Sequence, residues 1–206
     1  RQWFDKALLQ TNSFKNAESS INLLDDINLT VNNSNGTLGI GALGTASSLA
    51  KALRLSSQHP KKHEKLTICH QLDFINQYIA NCKNVTDENN ALKLGFDSIK
   101  FCWPSWVKNL TNNLNLTLPE VVKPGALIGT VKPEMCSRFG FNPTLKIMAG
   151  TTDSIAGFLA AGAYKQGQAV TSLGSTLAIK LICNKPVFSP KQGLYSHRLN
   201  SFWLVG

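Results

Sequence analysis

Two short segments of the sequence carry residue types at spacings suited to chemistry. In Ala149-Gly150-Thr151-Thr152-Asp153 a carboxylate follows directly on an apolar run. A carboxylate just past a strand, at the start of a helix, sits where ligand crevices of open α/β sheets lie. The helix N-terminus also favours its ionised form. Such a group can take a proton from a substrate hydroxyl. The plain alternative is an ordinary Thr/Asp helix cap. In Thr171-Ser172-Leu173-Gly174-Ser175-Thr176 a glycine is flanked by hydroxyl residues. A turn of this kind between strands can aim backbone N–H groups at a phosphate, since Gly174 has no Cβ to hold an anion off. Here the plain alternative is a hairpin turn. The segment is not a Walker loop, because the Gly-Lys-Ser/Thr ending is missing.

The elements that must position these segments follow from periodicity and punctuation. Residues 145–149 read as a strand, 150–153 as a strand-to-helix junction and 154–163 as a helix of small residues able to pack closely. Residues 168–173 and 176–183 read as strands joined by a turn, and 194–198 with 202–205 as one more hairpin. Strand, helix, strand, turn, strand is an α/β pattern. Further upstream, 47–55 has apolar residues at helical spacing behind a serine cap. Residues 66–80 read as a second helical stretch, with a short strand at 66–69 as its entry, and Leu72, Ile75 and Ile79 on one face. Thr86 or Asp87 caps a short helix that Gly95 ends. Pro104 suits a helix's first turn, with Trp103 and Trp106 on one side, packing a core edge or touching a ligand. Pro124-Gly125 is a turn, 126–131 a strand, and Pro133 opens a helix to Arg138. Before residue 40 the pattern is weak: 21–27 suits a short helix or strand, and 32–36 is a turn cluster.

Composition narrows the function classes. The 206 residues are 43% hydrophobic and 16% charged, a globular balance. No apolar run approaches the roughly 18–20 residues that span a bilayer. The opening residues lack the zones of a signal peptide and an initiator Met. The five cysteines are odd in number and widely spaced, against a zinc ribbon or a redox pair, and are expected to be reduced, buried and small-apolar in role. A cytoplasmic location follows as the expectation. The formal net charge is +9, densest over residues 51–65. No aromatic residues interleave there as a stacking nucleic-acid surface requires, so a solvated helix end is expected and neither nucleic acid nor membrane is a partner.

Together the two segments are more specific than either alone. The run Gly150-Thr151-Thr152-Asp153-Ser154-Ile155-Ala156-Gly157-Phe158-Leu159-Ala160, followed by Ala169-Val170-Thr171-Ser172-Leu173-Gly174-Ser175-Thr176-Leu177-Ala178-Ile179-Lys180-Leu181, resembles the middle of FGGY carbohydrate kinases. The likeness is greatest to the D-ribulose kinase branch of cyanobacteria and plant plastids, sometimes called xylulose kinase-like. Ser47-Ser48-Leu49-Ala50-Lys51, His70-Gln71-Leu72-Asp73-Phe74, Asn89-Asn90-Ala91-Leu92-Lys93-Leu94-Gly95, Pro124-Gly125 and Tyr195-Ser196-His197-Arg198 agree with it. The resemblance implies an α/β, actin-like or ribonuclease H-like ATPase fold, present incompletely. Residues 1–163 would be the remainder of the N-terminal, sugar-binding domain and 164–206 the beginning of the C-terminal, nucleotide-binding domain. It implies a small sugar, a ketopentose such as D-ribulose or D-xylulose, phosphorylated from ATP. Asp153 would be general base and, with Thr152, a substrate contact. Gly174, Ser175 and Thr176 would cradle the phosphates of ATP, and Mg²⁺ would bridge phosphate oxygens. Phosphoryl transfer is mainly positioning plus charge stabilisation, so one base and one phosphate turn are sensible parts.

The sequence departs from that family in three places. Its opening Asp-Phe-Gly-Thr-Ser type loop and a later sugar-contacting Gly-Thr-Ser loop are not found, and the chain stops at Val205-Gly206 where relatives continue. The expectation is a fragment that alone does not phosphorylate efficiently. A non-catalytic, actin-like protein binding a sugar or a partner is the alternative, and a basic nucleic-acid-binding protein a third. Oligomeric state is not specified by these residues.

Overall fold

Ser47 accepts a hydrogen bond from the Ala50 N–H at 3.2 Å and so caps helix α1 (Ser48–Gln58). The computed structural model describes residues 47–59, 64–174, 177–189 and 192–206. The elements expected at 21–27 and 32–36 lie outside the described residues. The helix expected over 47–55 forms and runs three residues further, to Gln58. Its Leu49, Ala50 and Leu53 are buried with Ile68, Leu94 and Leu116 in a first core. Ile68 follows β1 (Leu66–Thr67), which pairs in parallel with β3 (Leu116–Thr117).

Helix α2 (Gln71–Ile79) departs from its expected face. Its buried residues are Asp73 and Asn76, while Phe74, Ile75 and Tyr78 are exposed, Ile75 by 52%. The reason is polar. The Asp73 carboxylate accepts from the His70 N–H at 2.8 Å and lies 3.1 Å from His70 Nδ1, which also lies 3.0 Å from Thr86 Oγ1. This network turns the helix polar side inward. Strand β2 (Val85–Asp87) pairs in parallel with β4 (Glu120–Val122) and leads into α3 (Glu88–Ala91). Asp87 caps α3, accepting from the N–H groups of Asn89 and Asn90 at 3.0 and 3.2 Å. A 3₁₀ turn, Leu92–Leu94, follows, and Gly95 ends it at φ 92° as expected.

Pro104 precedes α4 (Ser105–Asn113) as its N-cap residue. Trp103 and Trp106 pack against the first core, and Trp103 Nε1 donates to Pro119 O at 3.1 Å, which favours the core-edge reading. Strand β5 (Leu127–Thr130) pairs antiparallel with β6 (Lys146–Met148) around a bulge, and α5 (Pro133–Phe139) lies between them. Next comes α6 (Asp153–Ala160), shorter than the expected 154–163 at its C-terminal end. Its close-packing residues are also not the small ones: Ile155 and Phe158 are buried, while Ala156 and Gly157 face out.

Strands β7 (Ala169–Leu173), β8 (Leu177–Cys183), β9 (Ser196–Leu199) and β10 (Phe202–Val205) form an antiparallel sheet ordered β7-β8-β10-β9. The last two make the expected hairpin. Helix α6 covers this sheet, with Ile155, Phe158, Ala163, Ile182 and Leu204 buried together. A third cluster, Leu92 with Phe188 and Trp203, joins the 3₁₀ turn to β10. The five cysteines are free, but none is buried: Cys69 and Cys102 are exposed and the other three half-buried. Cys102 stands in a surface turn with its main chain bonded to that of Asp97, and Cys69 stands in the link between β1 and α2, which corrects the expected core role. Among the described residues no helix is long and apolar enough to cross a membrane.

Candidate active site

Asp153 stands where the sequence put it, at the first position of α6, five residues beyond the end of β6. The junction is pinned on both sides. Ala149 donates to Ala126 O at 2.8 Å, and its own carbonyl accepts from the Gly125 N–H at 2.7 Å. The Leu72 side chain of α2 packs closely on Gly150, so a Cβ there would displace the end of that side chain.

The Asp153 carboxylate is exposed and accepts from the adjacent Ser154 N–H at 2.7 Å. Thr152 is the buried N-cap residue, but its side chain makes no capping bond. Its hydroxyl lies 3.3 Å from Ser154 Oγ. Neither residue is thus spent as a conventional side-chain cap, and the carboxylate keeps lone pairs facing solvent, as a proton acceptor needs.

Gly174 is exposed in the turn between β7 and β8, whose register runs from Ala169↔Leu181 to Leu173↔Leu177. Ser175 and Thr176 lie outside the described residues. Strand β8 carries a charged side chain that feels Asp153. Lys180 lies on its inward side, half-buried. Burial pushes its pKa down, the nearby Lys93 pushes it further, and Asp153 pulls it back up. An ammonium within electrostatic reach of Asp153 is thus carried by the strand that leaves the Gly174 turn. Sequence reading passed over Lys180 as a site residue, although a lysine inside the apolar run Leu177–Cys183 was a visible signal.

Behind the junction lies a second group that sequence reading did not assign. Asn89 Nδ2 donates to Thr151 Oγ1 at 3.2 Å and to Arg198 O at 3.1 Å. Asn89 Oδ1 accepts from the Arg198 N–H at 3.0 Å. Glu88 beside it is buried. Burial pushes its pKa up to about 7, Arg198 and Lys123 pull it down, and Asp87 adds to the rise. The Arg198 guanidinium stacks over Trp203, 4.5 Å from the ring centroid. Nearby, His197 is buried with neither ring nitrogen hydrogen-bonded. Burial, then Lys180 and Lys93, lower its pKa to about 3, so the ring is neutral. Among the described residues no three His, Cys, Asp or Glu side chains converge to hold a metal ion.

This arrangement has solved counterparts. The chain superposes on xylulose kinase from Rhodospirillum rubrum with TM-score 0.73 at 21% identity, covering 88% of this chain and 38% of that one. It superposes on Plasmodium falciparum glycerol kinase with ADP, also with TM-score 0.73, at 19% identity, covering 91% and 40%. The fold is therefore that of the sugar kinases of the actin-like ATPase class, of which this chain holds a part. In sequence, 121 residues are 31% identical to the xylulose kinase of Haemophilus influenzae, 57% of this chain and 24% of that protein. The chain spans about a quarter of the length of that curated relative. No protein-family model matches the chain. By name, the relatives matched in sequence are carbohydrate kinases, a xylulose kinase and a gluconokinase, and the solved counterparts share the fold.

Proposed function

We propose that the chain is part of an ATP-dependent sugar kinase whose acceptor is a hydroxyl of a ketopentose, D-ribulose or D-xylulose. The observation that carries this reading is the exposed Asp153 carboxylate at the start of α6, in a chain 31% identical over 121 residues to a xylulose kinase. In this reading residues 1–163 belong to the sugar-side domain and 164–206 begin the nucleotide-side domain. Helix α6 lies at the seam, since it packs on the later sheet.

Asp153 takes the proton of the acceptor hydroxyl, and Thr152 beside it is the second substrate contact. Gly174, Ser175 and Thr176 hold phosphate oxygens through main-chain and hydroxyl donors, and the exposed position of Gly174 leaves room for them. ATP supplies the phosphoryl group. Mg²⁺, which carries charge on the phosphate oxygens, has no three-carboxylate cage among the described residues. When bound, the ion would keep several waters and take one or two carboxylates together with the substrate phosphates, its usual preference. Lys180 adds positive charge that acts on the base, where negative charge gathers.

The test is ATP-dependent phosphorylation of D-ribulose and D-xylulose by the intact gene product. Asp153→Asn is expected to lower kcat by about 10²–10⁴-fold, the usual worth of a general base. Near wild-type turnover in that variant would remove the base assignment.

A further inference from the structure

We propose that Asn89 is a positioning residue for Asp153, acting through Thr151 and the main chain of Arg198. The proposal rests on the kinase reading above. Asn89 is 1% exposed, and its carboxamide makes three bonds: one acceptor bond from Arg198 N–H and two donor bonds, to Arg198 O and Thr151 Oγ1. These bonds join residues 62 and 109 positions apart. The donor itself is held, since the Asn89 N–H is bonded to Asp87 Oδ1 at 3.0 Å in the first turn of α3.

The geometry separates this role from simple edge protection. Strand β9 is an edge of its sheet, and an edge leaves main-chain groups needing partners. Two bonds to Arg198 would satisfy that need. The third bond reaches Thr151, two residues before Asp153 and inside the junction that sets where its carboxylate stands. Asn89 therefore locks the strand-to-helix junction, the β9 edge and the β2–α3 segment into one arrangement. Displacing a reacting group by about 1 Å can cost about 10²-fold in rate, so a lock two residues from the base acts on turnover.

The experiment uses the intact gene product with Asn89→Ala, Thr151→Val, Thr151→Ser and the Asn89→Ala/Thr151→Val pair. It measures kcat, KM for sugar and for ATP, and thermal midpoints. Asn89→Ala and Thr151→Val are each expected to lower kcat about tenfold or more with KM for ATP within about twofold of wild type. Thr151→Ser, which keeps the hydroxyl, should turn over like wild type. The pair should be no slower than the slower single variant, because both changes break one lock. Thr151→Val leaves the Asn89–Arg198 pairing in place, so the test stands even if Asn89→Ala does not fold. The proposal is overturned if Thr151→Val keeps wild-type kcat, if Thr151→Ser is as slow as Thr151→Val, or if only the thermal midpoints fall. In each of those cases the wild-type enzyme is active and the kinase reading survives. If the wild-type protein transfers phosphate to neither ketopentose, the kinase reading itself fails and takes this role with it.

Discussion

Asp153 and Glu88 are carboxylates in opposite surroundings. Asp153 faces solvent, whereas Glu88 is 3% exposed among α3, Arg198 and Lys123. Burial moves Glu88 from an ordinary 4.5 up to about 7. The folded state therefore binds a proton more tightly than the unfolded chain. The stability this contributes is fully present below about 4.5 and is lost as pH rises through about 7. Glu88→Gln stays neutral throughout. Its stability relative to wild type should thus rise by about 1–3 kcal/mol between pH 5 and pH 8.5. Urea unfolding of both proteins at the two pH values checks this, and a constant difference would contradict it. His197 has the reverse sign: lowered to about 3, it withdraws stability as pH falls below the ordinary imidazole range. It is common to both proteins and cancels in the comparison. At this scale Asp153 was legible because its cue is local, a carboxylate after a strand and before a helix. Glu88 was not, because its burial comes from residues far along the chain.

At the scale of elements, Gly95 shows how one position serves two neighbours. It ends the 3₁₀ turn at φ 92°, and a Cβ there would come within 2.9 Å of the Trp106 ring. Gly95→Ala should cost about 1–2 kcal/mol from the left-handed backbone alone, and more if Trp106 must move. Thermal unfolding should show the loss, and Trp fluorescence should report the shifted indole. The turn itself was readable in the sequence, as were the Ser47 cap, the Asp87 cap and the β9–β10 hairpin. Each is decided within a few residues. The faces of α2 and α6 were not readable. Helix periodicity marks an apolar stripe without stating what lies opposite. In α2 the His70–Asp73–Thr86 network turned the polar side inward, and in α6 Ile155 and Phe158, rather than the small residues, met the sheet.

Across the whole molecule, the register of β7 and β8 sets Leu173, Leu177 and Ile179 on one side of the sheet, opposite α6. They are 85%, 64% and 57% exposed. Contiguous exposed apolar surface promotes association. The 206-residue chain produced by itself should bind an apolar dye and scatter light. The Leu173→Ser/Ile179→Lys variant should reduce both signals without changing the far-ultraviolet spectrum. Unchanged dye binding would show that this face is covered.

The sequence by itself determined the local elements and named Asp153 and Gly174, because caps, turns and strand-to-helix junctions are written in neighbouring residues. Only the tertiary structure decided which distant groups serve them. Lys180 of β8 feels the charge of Asp153, and Asn89 bonds to Thr151 and Arg198 across 62 and 109 residues. No short-range rule encodes such pairings. They arise when two cores, one around α1 and one beneath α6, bring separate stretches of chain together, and when buried polar groups there must find partners.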